Sequence, residues 1–182
     1  MVSLYILGLL RRYGPQHGYR IKKTIAGQLA DFTQIKLPTI YYHLGKMAEN
    51  GLVSAASEKP GSRPEKTVYR ITDKGEKAYQ GLLRKLLDTE YRPSFATDGI
   101  FFFADHYRPE DLLTYLQTYG ETLRATLAGI EQHRAETLRF VPEDAQTMTE
   151  IIFSHHLHHY RAELAWAEET RQALLPKEET SC

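Results

Sequence analysis

The stretch LPTIYYHLGKMAENGLV, residues 37–53, decides how the chain is read. At about 100° per residue, Ile40, Leu44, Met47 and Ala48 fall on one side of a helix. Thr39, Tyr42, His43, Lys46, Glu49 and Asn50 fall on the other, with Tyr41 at the rim. Pro38 stands in the first turn, where its missing N–H costs nothing. Gly51 stands just past the last turn, as a C-terminal cap. A face meant only for solubility would carry mainly Glu and Lys. This one offers hydroxyls and an ammonium, which suit phosphates and base edges. Glu49 suits phosphate poorly and belongs at a groove margin. Plain solvation of the same residues is the competing reading.

Upstream, residues 2–12 place Val2, Leu4, Tyr5, Ile6, Leu9 and Leu10 densely enough for a mostly buried helix, broken by Tyr13-Gly14-Pro15. A second helix is expected from about His17 to Leu29. Its inward positions are Tyr19, Ile21, Ile25 and Leu29, and Arg20, Lys22, Lys23 and Thr24 face largely outward. Residues 31–36 read as a turn. Downstream, Leu52-Val53 opens an extended run, and 67–72 (TVYRIT) is a second run with alternating sides. Between them EKPGSRPEK, residues 58–66, is polar and rich in Pro and Gly. That pattern is a two-stranded hairpin with a long basic tip. Thr72 followed by Asp73 and Glu76 reads as a capped helix start, with the helix running to about Tyr91. Three helices and then a hairpin make a winged helix-turn-helix. The third helix is its reader and the hairpin tip its wing.

The chain has 182 residues, 42% hydrophobic and 25% charged, which is ordinary for one or two small globular domains. Its net charge of zero hides an asymmetry. Residues 1–85 hold 15 Lys and Arg against 6 Asp and Glu, a net +9. Residues 86–182 hold 8 against 17, a net −9. The basic half supplies the attraction a polyanion needs. The only cysteine, Cys182, permits no internal disulfide, and the expected location is cytoplasmic. The first apolar run, MVSLYILGLLRR, is too short to span a bilayer, and its basic residues come last, the wrong order for a secretory signal. The chain should therefore not engage a membrane.

Pro93 marks a boundary, giving expected domains at 1–92 and 93–182. Residues 94–107 (SFATDGIFFFADHY) are expected to form a short buried helix. Pro109-Glu110-Asp111 opens a long helix with an acidic first turn. Its stripe of Leu112, Leu116, Tyr119, Leu123, Leu127 and Ile130 is close to a coiled-coil seam, and a dimer seam is favoured over an intramolecular one. After Pro142 a last helix, about 143–174, carries Met148, Ile151, Ile152, His155, His159, Ala162 and Trp166.

Four motifs in order carry a family resemblance. They are His17-Gly18-Tyr19, Pro38-Thr39-Ile40-Tyr41, Glu49-Asn50-Gly51-Leu52-Val53, and 66–75 (KTVYRITDKG). Together they resemble the PadR family of bacterial transcriptional regulators over about residues 1–90. One small departure is that Pro38 is followed directly by Thr39, where the family commonly has a small residue between the two. Glu163-Leu164-Ala165-Trp166 is similar to a motif in the family's helical dimerisation domain. The resemblance implies a mainly α protein with an N-terminal winged helix-turn-helix and a C-terminal long-helix dimerisation domain. It implies a homodimer on a two-fold-symmetric DNA operator, usually as a repressor. By the family pattern Tyr19, Thr39, Tyr41, Arg63 and Lys66 lie near DNA. The residues' own chemistry adds Lys22, Tyr42, His43, Lys46 and Lys59.

Two clusters in the second half admit functional readings. Phe95, Phe101, Phe102, Phe103 and Tyr107, with Trp166 downstream, read as core or as a pocket for a flat aromatic effector. Phenolic acids and lipophilic drugs are effectors within the resembled family. The pocket residues are then Phe95, Phe101, Phe102, Tyr107, His155 and Trp166. His155 and His159, four apart on one face, have a spacing that can bind zinc, but neither a cysteine nor an H-E-x-x-H pattern accompanies them. Polar packing is the favoured reading, so no metal and no cofactor are expected. The sequence has no G-x-S-x-G and no phosphate-binding Gly-rich loop, which argues against an enzyme. A metal-binding protein or enzyme on the histidine cluster, and a protein-interaction module, remain the alternatives to a DNA-binding regulator.

Overall fold

The structure is a computed structural model that describes residues 1–29, 33, 35–58 and 66–176. The chain divides into two compact units, Met1–Arg92 and Pro93–Cys182.

In the first unit, α1 (Val2–Tyr13), α2 (Gly18–Gln28) and α3 (Leu37–Glu49) enclose one apolar core. Ile6, Leu7 and Leu10 of α1, Ile21 and Ile25 of α2, and Ile40, Leu44 and Met47 of α3 are all buried. Each such side chain contributes about 1.5–3 kcal/mol by leaving water. The α3 stripe is therefore the one its spacing predicts. Its N-terminus holds Pro38, and the chain leaves through Gly51 at φ 67°, a conformation that glycine adopts without strain.

β2 (Val53–Glu58) and β3 (Lys66–Ile71) pair antiparallel as the hairpin, with Ala55 opposite Tyr69. The expected two-stranded sheet has a third strand. β1, Gln16–His17, adds to the far edge of β3, with Gln16 opposite Tyr69. Two residues carry no strand periodicity, so only the partner strand reveals them. A second correction concerns Tyr19, expected inward from its spacing. It is 65% exposed, while Ile21 and Ile25, also expected inward, are buried. The tip residues 59–65 lie outside the described residues, as do residue 30, residues 31, 32 and 34 of the expected turn, and residues 177–182 with Cys182.

α4 (Asp73–Leu87) starts at the cap that the sequence announces. The Thr72 hydroxyl accepts from the Gly75 N–H at 3.1 Å and donates to the Gly51 carbonyl at 2.7 Å. One side chain thus ties the exit of α3 to the start of α4. α4 ends at Leu87, short of Tyr91, and packs Ala78, Tyr79 and Leu82 on the core.

The second unit is built on α6 (Pro109–Leu138) and α7 (Glu143–Leu174). They run antiparallel: Tyr119 bonds Glu163, while Arg134 further along α6 bonds Glu150, earlier in α7. Leu112, Leu116, Leu123 and Ile130 are buried, with Leu116 and Leu123 in a cluster that includes Ala167 of α7. The α6 stripe is therefore an intramolecular seam, contrary to the favoured dimer reading. A second helix of about equal length follows in the same chain and covers it.

One further expectation changes here. α5 (Asp98–Phe102) and the 3-10 turn at 104–106 bury no side chain, so the aromatic segment is not the expected buried helix. Phe102 is 80% exposed. On α7 the buried residues are Phe153, Leu157 and Ala167. The set that runs from Met148 through Ile151, Ile152 and His155 to Trp166 lies roughly 140° around the helix from them. Met148 and Ile151 on it are 65% and 55% exposed.

Candidate nucleic-acid interface

The core of the first unit fixes α3 by one face and leaves the other in solvent. Tyr42, Lys46, Glu49 and Asn50 are exposed there, and Thr39 is half-buried. Lys46 Nζ donates to Glu49 Oε2 at 2.9 Å, and that bond holds the ammonium above its ordinary pKa. The cation is thus kept charged, and its partner is an exposed i,i+3 carboxylate that holds it only weakly. Asn50 Nδ2 donates to the Lys46 carbonyl at 2.7 Å, and Lys74 Nζ to the Asn50 carbonyl at 2.8 Å, which satisfies the end of the helix. His43 departs from the expected exposed face. It is half-buried, with Nδ1 3.4 Å from the Ser3 hydroxyl of α1, and its ring meets Tyr42 edge-on at 5.6 Å.

A second group sits where α2 begins. A Cβ at Gly18 would stand 2.8 Å from the Tyr41 ring and 3.3 Å from Leu44, so only glycine lets α2 start this close to α3. This gives the His17-Gly18-Tyr19 motif a physical reason. The close approach leaves a concavity of about 310 Å³ lined by Tyr19, Arg20, Tyr41, Thr67 and Tyr69 with His17 and Gly18. Lys22 Nζ lies 5.8 Å from the Tyr19 ring centre, within cation–π range. Three expected residues, Tyr19, Lys22 and Tyr41, thus cluster here. Arg20 and His17 join them, and sequence reasoning left them off the site. Their adjacency to Gly18 at a helix start was the available signal. His17 is also tied to the sheet, its Nδ1 being 3.3 Å from the Thr67 carbonyl. Lys59 and Arg63 lie outside the described residues. Lys66 is the first residue of β3, paired with Glu58.

In the second unit a groove of about 440 Å³ runs past Phe95, Tyr119, Leu123, His159, Tyr160 and Glu163. Tyr119 donates its hydroxyl to Glu163 Oε1 at 2.8 Å. Burial first, and then that bond, push the Tyr119 phenol up to about 12. Of the six residues expected for an effector, Phe95 lines this groove. Phe101 and Trp166 meet each other edge-on at 5.6 Å. Phe102 lies against Phe103 at 4.9 Å, and Tyr107 is exposed. His155 and His159 have ring centres 4.9 Å apart. Among the described residues no group of three His, Cys, Asp or Glu is placed to hold a metal ion. Among them, too, no helix is long and apolar enough to cross a membrane.

Three helices, a wing hairpin and a third helix with one free polar face define a winged helix-turn-helix protein. Residues 6–81 match the model of the transcriptional regulator PadR-like family, and residues 101–174 match the virulence activator alpha C-terminal model. The first unit thus carries a PadR-like domain over residues 6–81. The negative transcriptional regulator PadR of Bacillus subtilis (strain 168) is 35% identical over 71 residues. That match spans 39% of this chain and 38% of the relative's length. The crystal structure of Bacillus subtilis PadR in complex with operator DNA superposes with a TM-score of 0.76 at 20% identity, covering 95% of this chain and 98% of that one. Its complex with p-coumaric acid gives 0.71 at 19%, covering 96% and 99%. The Vibrio cholerae virulence activator AphA gives 0.77 at 21%, covering 96% and 98%. At these identities the superpositions speak for the fold.

Proposed function

We propose that the chain is a homodimeric, sequence-specific DNA-binding repressor with a small aromatic or phenolic effector. The observation that carries the reading is α3. Its apolar face is locked by Ile40, Leu44 and Met47, while Tyr42, Lys46 and Asn50 stand exposed on the opposite face of a net +9 half. That arrangement suits insertion into a major groove, with Lys46 on guanine or phosphate and Tyr42 on a base edge or phosphate. Tyr19, Lys22, Thr39 and Tyr41 are the assigned backbone contacts, His43 is a margin contact, and Lys59, Arg63 and Lys66 are the wing cations. Repression is supported by the name of the Bacillus subtilis relative, and an aromatic effector by the p-coumaric acid bound to its structure. The exposed α7 face with Met148, Ile151 and Ile152 supports a dimer, since a contiguous apolar surface of this kind marks an interaction site. Activation is the second reading, favoured by the match of residues 101–174 to a virulence-activator model.

The test is fluorescence anisotropy of the full chain against its own upstream intergenic duplex and a scrambled duplex, at two salt concentrations. Tighter, saturable, salt-dependent binding to the native duplex is expected. Absence of binding to either duplex would overturn the DNA-binding reading. Transcription from that region, with and without the protein, separates repression from activation.

A further inference from the structure

The groove of the second unit has a chemical character that the effector reading leaves open. Its lining includes the aromatic residues Phe95, Tyr119 and Tyr160 together with Leu123, Ser94, Ala96 and Thr97. Among its lining residues Glu163 is the one carboxylate, and neither lysine nor arginine lines it. Glu163 is half-buried and accepts from Tyr119 at 2.8 Å, which fixes one of its oxygens in the groove wall. Tyr119 is a permanent donor below a pKa of about 12, so this orientation holds throughout the neutral range. A carboxylate has about four lone-pair sites, and one phenol uses one of them. Aromatic faces are negative and attract cations, most strongly where water is excluded. Ring faces and a carboxylate thus favour the same sign of ligand. The surroundings agree with it: residues 93–182 hold 15 Asp and Glu against 7 Lys and Arg.

We propose that this groove binds an organic cation carrying an aromatic ring, with Glu163 as its counter-ion and Phe95 and Tyr160 as its ring contacts. The inference rests on the reading of the second unit as effector-binding, and it sets the charge of the effector. A phenolic acid would bring its carboxylate against Glu163, and like charges at contact distance in a half-buried site repel. A groove of about 440 Å³ is wide enough for one or two rings with an alkylated ammonium. The His159 imidazole also lines the groove and adds a further ring.

The probe is benzyltrimethylammonium, with benzoate as its anionic counterpart and benzyl alcohol as the neutral one. Binding to the full chain is read by saturation-transfer difference NMR and titration calorimetry. Saturable binding of the cation is expected, at least about tenfold tighter than of benzoate. Glu163→Gln keeps an acceptor for Tyr119 and removes the charge, and it should weaken cation binding about tenfold while leaving benzyl alcohol unchanged. Phe95→Ala, at a half-exposed position outside the helices, should weaken cation and alcohol alike. This second variant keeps the test alive should Glu163→Gln lower the thermal midpoint. Cation binding that is absent, that survives both substitutions, or that is matched by benzoate overturns the proposal. A separate arm measures anisotropy of the native duplex with the cation present. Cation binding with no change in DNA affinity would sink the effector reading and leave the groove's specificity standing.

Discussion

α3 and α7 carry apolar stripes of similar density, yet only one stripe lies where its spacing puts it. In α3 the apolar set Ile40, Leu44 and Met47 occupies one side, and the opposite side is polar. A single apolar face leaves only one way to dock. α7 has two. Phe153, Leu157, Leu164 and Ala167 make one, and Met148, Ile151, Ile152, Ala162 and Trp166 another. Periodicity alone ranks the second higher, since it has larger residues near the start of the helix. The structure buries the first against α6 and leaves Met148 and Ile151 exposed. Amphipathicity thus names the core face only when a helix has one candidate.

The sharpest test of this difference is to empty both faces of α7 and the core face of α3. Phe153→Ala should cost about 3–5 kcal/mol and Leu44→Ala about 2–5 kcal/mol in urea unfolding, because each leaves a cavity in a closed core. Ile151→Asp should leave the folded chain's circular dichroism unchanged and reduce the mass seen by light scattering. Should Ile151→Asp unfold the chain while Phe153→Ala does not, the assignment of the two faces is reversed.

A smaller effect separates the polar face of α3 from its core face. Lys46→Ala should weaken binding to the native duplex by about 1–3 kcal/mol or reduce it uniformly with a shallower salt slope. Unfolding midpoints should not move, since Lys46 is exposed and its Glu49 partner is too. Thr72→Ala comes next. It removes the cap on α4 and the bond to Gly51, at about 1 kcal/mol in chemical denaturation. A neutral result would show that the backbone bonds and Lys74 hold the α3 exit without the Thr72 hydroxyl.

The smallest effect lies in the helix pair of the second unit. Arg134 Nε donates to Glu150 Oε2 at 2.8 Å and holds that carboxyl below its ordinary 4.5. A lowered folded pKa stabilises above the unfolded value and is lost as pH falls through the folded one. Glu150→Gln should therefore cost a few tenths of a kcal/mol at neutral pH, since both side chains are over a third exposed. The difference should close as the pH drops below 4.5. A gap that persists in strong acid would mean the effect is packing and not charge.

The winged helix-turn-helix was legible because each of its signals is local. Pro38 and Gly51 bound α3, Thr72 caps α4, and the polar, Pro- and Gly-rich sequence of residues 58–66 separates two extended runs, the second of them alternating. The charge asymmetry needed only counting. The free face of α3 followed from its stripe, with His43 the exception because α1 happens to bring Ser3 alongside. What the sequence could not supply was pairing between distant segments. β1 is two residues long and exists only through β3. Arg20 and His17 reach the concavity only because Gly18 lets α2 approach Tyr41. Glu163 was visible in a motif, yet its place among Phe95, Tyr119 and Tyr160 depends on how α6 and α7 are aligned. Local rules act over one helical turn or one strand step and are written in neighbouring residues. Which face is covered, and which charge ends up inside a groove, depends on contacts between residues far apart in sequence, and those are decided in three dimensions.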